Sequence, residues 1–423
     1  MGVNSIPAWA SRLSSTRMRG RVAAVGGALL LSLVAILFAR LGEVAQNQFI
    51  RLTHANPYAP LLVTPLVFAA VVYSTRRWCP AARGSGIPQV MAAGHAPEIA
   101  GRSALLSLPT AAAKFTGTLA MLAAGGAVGR EGPTVQISAA IMVAVQRWLR
   151  VPVTAGVIIA GGAAGVAAAF NTPLAGVAFA IEELASAFEQ KVAIFVMAAV
   201  MISGLASLGL SGDYVYFGAM HQALPIRAMV VIAPVAGVVG GLAGGLFSRA
   251  LIAMAWSRLR WIVALRQRPL LLAVTCGLVV AALGVASGGL SWGTGYEMTR
   301  DLLSGAEAPL AFGPVRFFAT LATALSGAPG GIFAPSLSVG AGLGQILTVI
   351  FPGESGGAVV LLGMIGYFTG VVRAPLTASI IMMEMTADRT MILPLFATAL
   401  IADWVSSLVC RRKLYHTLAR QFR

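Results

Sequence analysis

The amino-acid sequence predicts an all-α polytopic membrane protein built on an internal repeat, and three observations carry that prediction. Of its 423 residues, 58% are hydrophobic and 10% charged, whereas soluble domains average about 25% charged residues. Long apolar segments recur from end to end, many starting or stopping at Gly or Pro. A shift of 202 residues, the spacing of Pro133 and Pro335, also brings Pro173 onto Pro375, Glu182 onto Glu384, Gly129 onto Gly331 and Lys114 onto Arg316. Gly and Ala match by chance in such a chain; two prolines, a Glu and a basic pair in one register are harder to dismiss.

Residues 22–42 follow Arg12, Arg17, Arg19 and Arg21. The run is longer than a signal-peptide core and no clear small-x-small cleavage site follows, so it reads as the first membrane helix. Residues 58–75 form a second apolar segment, and Gly84–Pro88 opens a short mixed one. Segments at 104–126, 133–149, 153–170, 173–188 and 192–211 complete one half. Those at 226–256, 270–288, 311–326, 333–351, 357–371, 375–386 and 391–410 make up the other. Several are too short to cross roughly 30 Å of hydrocarbon at ~1.5 Å per residue. Short, broken helices suit a substrate site near the membrane midplane, where irregular backbone must line a cavity or be enclosed in protein. The reading is a single transmembrane domain over 1–423, with repeat halves at 22–212 and 226–410.

The net charge is +16, from 30 basic and 14 acidic residues. The basic side chains cluster between and beside apolar spans, which points to membrane orientation and away from nucleic acid. The basic start and the tail with Arg411, Arg412, Lys413, Arg420 and Arg423 place both termini in the cytoplasm. Cys79, Cys276 and Cys410, odd in number and widely spread, make neither a disulfide framework nor a metal pattern. His54, His95, His221 and His416 have no ligand-like spacing, so no metal or cofactor is called for.

Within this apolar setting Glu131 is isolated, with no other acid between Glu98 and Glu182. An ionisable side chain at a central helix position costs roughly 2.5–3.5 kcal/mol on insertion scales and marks a functional site. Glu131 lies in Gly129-Arg130-Glu131-Gly132-Pro133, one of three Gly-x-x-x-Pro segments that open apolar or mixed stretches, with Gly84–Pro88 and Gly331–Pro335. A fourth copy, Gly305–Pro309, sits in a polar loop. Pro fits a first helical turn, where its missing N–H is no loss, and Gly lets backbone approach closely. The free amides then face outward at the positive end of the helix dipole. Taken singly, each segment reads as an ordinary helix cap. Three that converge hold a dehydrated anion without a formal cation, weakly enough to release it.

These segments also carry a family resemblance. GSGIP at 84–88, GREGPTVQIS at 129–138, AAFNTPLAGVAFAIEEL at 168–184, APGGIFAPSLSVGAGLG at 328–344, RAPLTASIIMMEMT at 373–386 and KLYHTLA at 413–419 resemble, in order, the signature segments of the CLC family of chloride channels and chloride/proton antiporters. The resemblance implies two inverted-topology repeats of tilted, broken helices. It also implies a homodimer in the lipid bilayer with one pathway per subunit for chloride and protons. The lack of the C-terminal regulatory (CBS) extension usual in eukaryotic relatives carries the expectation of a bacterial inner-membrane protein.

Carried onto matching positions, the family pattern makes the hydroxyls of Ser85 and Tyr415 and the amides of Ile332 and Phe333 a central anion site. The amides of Arg130, Glu131 and Gly132 with Ala334 resemble an outer site, Gly84 and Ser85 an inner one, and 411–423 the lining of the inner pore. By residue type alone, Ser85 reads as a helix N-cap and Tyr415 as an interfacial anchor. Glu131 resembles the family's gate and proton acceptor: charged, it occupies an anion site; protonated, it loses its charge and swings aside. Glu183 resembles the internal proton-transfer acid, against the alternative of a surface charge facing the cytoplasm.

The pairing of Glu182 with Glu384 predicts a shared structural task, such as a helix-end hydrogen bond or ion pair. Gln89 and Met91 stand where well-known exchangers have acids, leaving Lys114 without an evident partner. Ser85 is replaced in fluoride-selective branches, so its presence favours chloride and other weakly hydrated monovalent anions. Asp403 reads as helix packing. The expected function is chloride/proton exchange, with a passive channel gated by Glu131 or a fluoride-exporting relative as alternatives. An intramembrane enzyme is opposed by the lack of an HExxH or Gly-x-Ser-x-Gly motif.

Overall fold

The structure, a computed structural model, describes residues 8–97, 103–184, 190–212, 215–220 and 223–422, and its regular elements are all helices. The chain runs through α1 (Ala8–Ala55), α2 (Pro60–Trp78), α3 (Ile87–His95), α4 (Leu108–Leu122), α5 (Glu131–Trp148), α6 (Ala155–Phe170), α7 (Pro173–Phe179) and α8 (Gln190–Ser211). It continues through α9 (Ile226–Trp256), α10 (Arg260–Gln267), α11 (Pro269–Ala286), α12 (Tyr296–Leu303) and α13 (Phe312–Leu325). It ends with α14 (Phe333–Ile350), α15 (Gly356–Val372), α16 (Pro375–Thr386), α17 (Ile392–Val409) and α18 (Leu414–Ala419). The apolar run expected at 22–42 is the middle of the much longer α1. The segment expected at 104–126 is broken, with a tight turn at Ala104–Leu106 capped by Ser103 before α4 begins.

Among the described residues, six helices are long and apolar enough to cross a membrane, in α1, α8, α9, α11, α14 and α17. The protein is a multi-pass membrane protein. α6 and α15, with 16 and 17 residues, are buried along nearly their whole length. They face other helices rather than lipid, which is why they need not span the hydrocarbon. Close helix contact depends on glycine: a Cβ at Gly240 or Gly244 of α9 would strike the backbone of α15 at Gly366 and Gly370. Small residues at four-residue spacing let helix backbones touch where no hydrophobic effect drives association.

The halves meet at a seam of reciprocal contacts. The amide of Gly129 donates to the carbonyl of Gly331 at 2.8 Å, and Gly331 donates back to Gly129 at 2.8 Å, in an antiparallel bridge. Glu182 accepts from the amides of Leu376 and Thr377 at the start of α16, at 3.2 and 2.6 Å. Glu384 accepts from Leu174 and Ala175 at the start of α7, at 3.1 and 2.7 Å. Each contact is the other shifted by the repeat offset, as an approximate two-fold axis requires. The antiparallel bridge means that the chain passes through these equivalent points in opposite senses. The structural task expected of Glu182 and Glu384 is thus a helix-end hydrogen bond, each carboxylate taking amide donors that the helix leaves unpaired.

Candidate functional site

The three Gly-x-x-x-Pro segments open α3, α5 and α14, and their backbones are joined directly. Besides the Gly129–Gly331 bridge, Gly330 donates to the carbonyl of Gly84 at 3.1 Å. Gly86 has a φ of +108°, and a Cβ there would meet the carbonyl oxygen of Gly132 at 2.8 Å, so glycine is required at this crossing. A Cβ at Gly132 would come within 2.5 Å of Ser85 Oγ. The start of α5 therefore packs directly on the Ser85 hydroxyl.

Glu131 is the first residue of α5 and is 1% exposed. Its Oε2 accepts from the Ala334 amide at 3.4 Å and lies against the amides of Arg130 and Glu131 itself. Oε1 has no hydrogen-bond partner. The carboxyl thus sits beside the Ala334 amide, one of the donors that the family resemblance assigns to an outer anion site. The Arg130 side chain points elsewhere, donating to the carbonyl of Ala39 at 2.6 Å and to Glu43 at 3.1 Å.

Tyr415, near the start of α18, is fully buried, and its hydroxyl is directed toward Ser85. Neither Tyr415 Oη nor Ser85 Oγ completes a hydrogen bond with a protein group. A buried polar atom left unpaired costs about 1–3 kcal/mol, so two adjacent ones point to a ligand that accepts hydrogen bonds. Ile332 is the N-cap of α14 and Phe333 its first residue. The Phe333 ring is enclosed by Phe170, Phe179, Phe368 and Tyr415, with centroids 6.3, 6.0, 5.0 and 6.1 Å away. Sequence reading did not foresee this aromatic enclosure, because its members come from four separate helices and a single Phe in an apolar chain carries no signal.

Lys114 finds its partners in the backbone. Its Nζ donates to the carbonyls of Gly84 at 2.7 Å and Arg83 at 3.2 Å. A fully buried ammonium without a carboxylate therefore lies one peptide behind Ser85. Its repeat counterpart Arg316 is equally buried and is held by Ser338 Oγ and the carbonyls of Ser291, Trp292 and Gly293.

Two cavities approach this centre. One of about 220 Å³ reaches Gly84, Ser85, Ile332 and Tyr415, and Leu418 and Phe422 help line it. The other, about 460 Å³, is bordered by Arg40, Glu43, Arg130, Tyr216, Tyr296 and Glu297. They share no lining residue, and Glu131 borders neither. Ser85, Ile332 and Tyr415 border the first, and Arg130, next to Glu131 in the chain, borders the second.

Glu183 lies in a π-helical turn, Ala180–Leu184, that continues α7. The widened turn sends neighbouring side chains apart: Glu182 reaches the α16 amides, whereas Glu183 is 2% exposed. The alternative of a surface charge is excluded by that burial. Its Oε1 lies 3.4 Å from Nδ1 of His416, a contact that sequence spacing did not reveal. Asp403 is ion-paired with Arg373 at 2.9 Å, which corrects its reading as a packing residue. Arg373 also donates to the carbonyls of Cys410 and Arg411, both at 3.3 Å, tying down the segment that leads to Tyr415.

The family model described as voltage gated chloride channel matches residues 67–407. The chain is 32% identical over 420 residues to the H(+)/Cl(-) exchange transporter ClcA of Yersinia pestis bv. Antiqua (strain Angola), covering 89% of this chain and 83% of that one. Among solved structures it is similar to a slow cyanobacterial Cl⁻/H⁺ antiporter, with TM-score 0.79 and 24% identity over 95% of this chain and 97% of the other. It is also similar to a CLC-type fluoride/proton antiporter, with TM-score 0.78 and 21% identity over 96% and 98%.

Proposed function

Because the chain belongs to the voltage-gated chloride channel family, we propose that it is a secondary active transporter exchanging chloride for protons, with Glu131 as both gate and proton acceptor. The observation that carries this reading is the placement of the buried Glu131 carboxyl against the Ala334 amide, with one cavity reaching Ser85 and Tyr415 and another, sharing no lining residue with it, reaching Arg130. A carboxylate there holds the position an anion needs. When a proton neutralises it, its hold on the amides weakens and the side chain can leave, opening the cradle to chloride arriving past Ser85 and Tyr415. Return of the carboxylate expels the anion and closes the path. Proton and chloride movements are coupled because the unprotonated carboxylate and chloride compete for one set of donors.

The chloride site proper is formed by the hydroxyls of Ser85 and Tyr415 with the amides of Ile332 and Phe333, and Gly84 frames its inner side. The amides of Arg130 and Gly132, with Ala334, form the outer position. These donors are neutral, which keeps release fast, while the Lys114 ammonium behind Gly84 adds attraction without touching the anion. Glu183, buried at the far end of α7, is the internal proton acid. The sequence of events makes or breaks no covalent bond except those to protons, so the protein acts as a transporter and not an enzyme. We place it in a bacterial inner membrane with both termini cytoplasmic, as a homodimer with one pathway per subunit. Residues 411–422 then line the cytoplasmic mouth.

The test is purified protein in liposomes with a chloride gradient as the only driving force. Protons move uphill if the reading holds. Rapid chloride flux with no proton movement indicates a channel instead. Glu131→Gln, which is neutral and cannot titrate, abolishes proton transport and leaves chloride to flow passively.

A further inference from the structure

The carboxylate of Glu183 is 0% exposed, while the His416 side chain 3.4 Å from it is 47% exposed. Neither Glu183 oxygen completes a hydrogen bond with protein, so the imidazole contact is its connection toward water. His416 is the residue after Tyr415 on α18, and the buried Tyr415 turns toward Ser85 while His416 turns outward. The other charged groups acting on Glu183 are Lys413, just before α18, and Glu182 in its own turn. Lys413 carries a single nitrogen, so it cannot take up a proton at one atom while giving one from another. Glu182 is committed to the Leu376 and Thr377 amides.

We propose that His416 is the proton intake of this transporter, passing protons between bulk water and Glu183. This rests on the reading of Glu183 as the internal proton acid. The imidazole takes a proton from water at Nε2 and gives the one on Nδ1 to Glu183 Oε1, leaving a neutral ring and a protonated carboxyl. Rotation of the ring or exchange with water restores the starting tautomer. In the reverse direction the same atoms return the proton to water. An imidazole suits the task because its two ring nitrogens can each bind or release a proton, so one side loads while the other delivers.

The test measures proton flux driven by a fixed chloride gradient in liposomes, comparing wild type with His416→Ala and His416→Gln. Both variants lose about tenfold or more of proton flux, and free imidazole in the buffer restores much of it to His416→Ala. Gln keeps a polar side chain but cannot titrate, so its failure separates proton transfer from packing. Unchanged proton flux in both variants overturns the proposal. So does a loss that imidazole does not repair, or one that Gln prevents, because either marks a purely structural contact. A wild-type protein that moves no protons at all removes the exchange reading itself, whereas normal wild-type exchange with indifferent variants removes only the relay.

Discussion

Neutral hydrogen-bond donors at Ser85 and Tyr415 govern how tightly the proposed site holds an anion, since hydrogen bonds to charged groups are worth about 1.5–3 kcal/mol each. Ser85→Ala or Tyr415→Phe therefore weakens chloride binding roughly tenfold or more, read by calorimetric titration of the purified protein. Gly132→Ala keeps every donor but sets a methyl 2.5 Å from Ser85 Oγ. It weakens binding too; affinity equal to wild type would refute the packing argument. Glu131 stood out in the sequence as an isolated acid in an apolar stretch, whereas Ser85 and Tyr415 were singled out only by the family resemblance, since by residue type they read as a helix cap and an interfacial anchor. The partners of Lys114 were not legible, since carbonyls of Arg83 and Gly84 carry no residue identity. Nor was the meeting of Glu183 with His416, which depends on how α18 folds back.

Helix boundaries show the same division between local and tertiary causes. The starts of α3, α5, α7, α14 and α16 were legible because Gly and Pro act within a single turn. The length of α1 and the π-helical turn at Ala180–Leu184 were not, because packing against other helices decides them. The exchanged caps allow a test. Glu182→Ala strips the start of α16 of its carboxylate and Glu384→Ala strips α7, each costing about 0.5–2 kcal/mol. Thermal unfolding in detergent falls by similar amounts in both; a loss confined to one variant contradicts the two-fold equivalence. The Arg373–Asp403 pair acts at this scale as well, by fixing Cys410 and Arg411 ahead of α18. Asp403→Asn loosens that segment and lowers chloride affinity through the displacement of Tyr415, while helix content measured by circular dichroism stays unchanged.

At the scale of the whole molecule, both cavities, the buried Glu131 and the Ser85–Tyr415 centre are formed by residues of one chain. In the proposed homodimer an impaired subunit then leaves its partner working. Liposomes holding mixed assemblies of wild type and Tyr415→Phe show chloride-driven proton uptake that falls linearly with the variant fraction. A steeper fall would mean that the pathway is shared between subunits.

The seam at Gly129 and Gly331 leaves one more consequence. Half a turn about it exchanges equivalent thresholds, yet Glu131 stands at one and Phe333 at the other. An acid stands at one doorway and an aromatic ring at its twin, so the scaffold's symmetry does not extend to the side chains along the route. Flux measured with the gradients reversed is therefore expected to differ in rate from the forward direction, and equal rates would show that the two doorways behave alike.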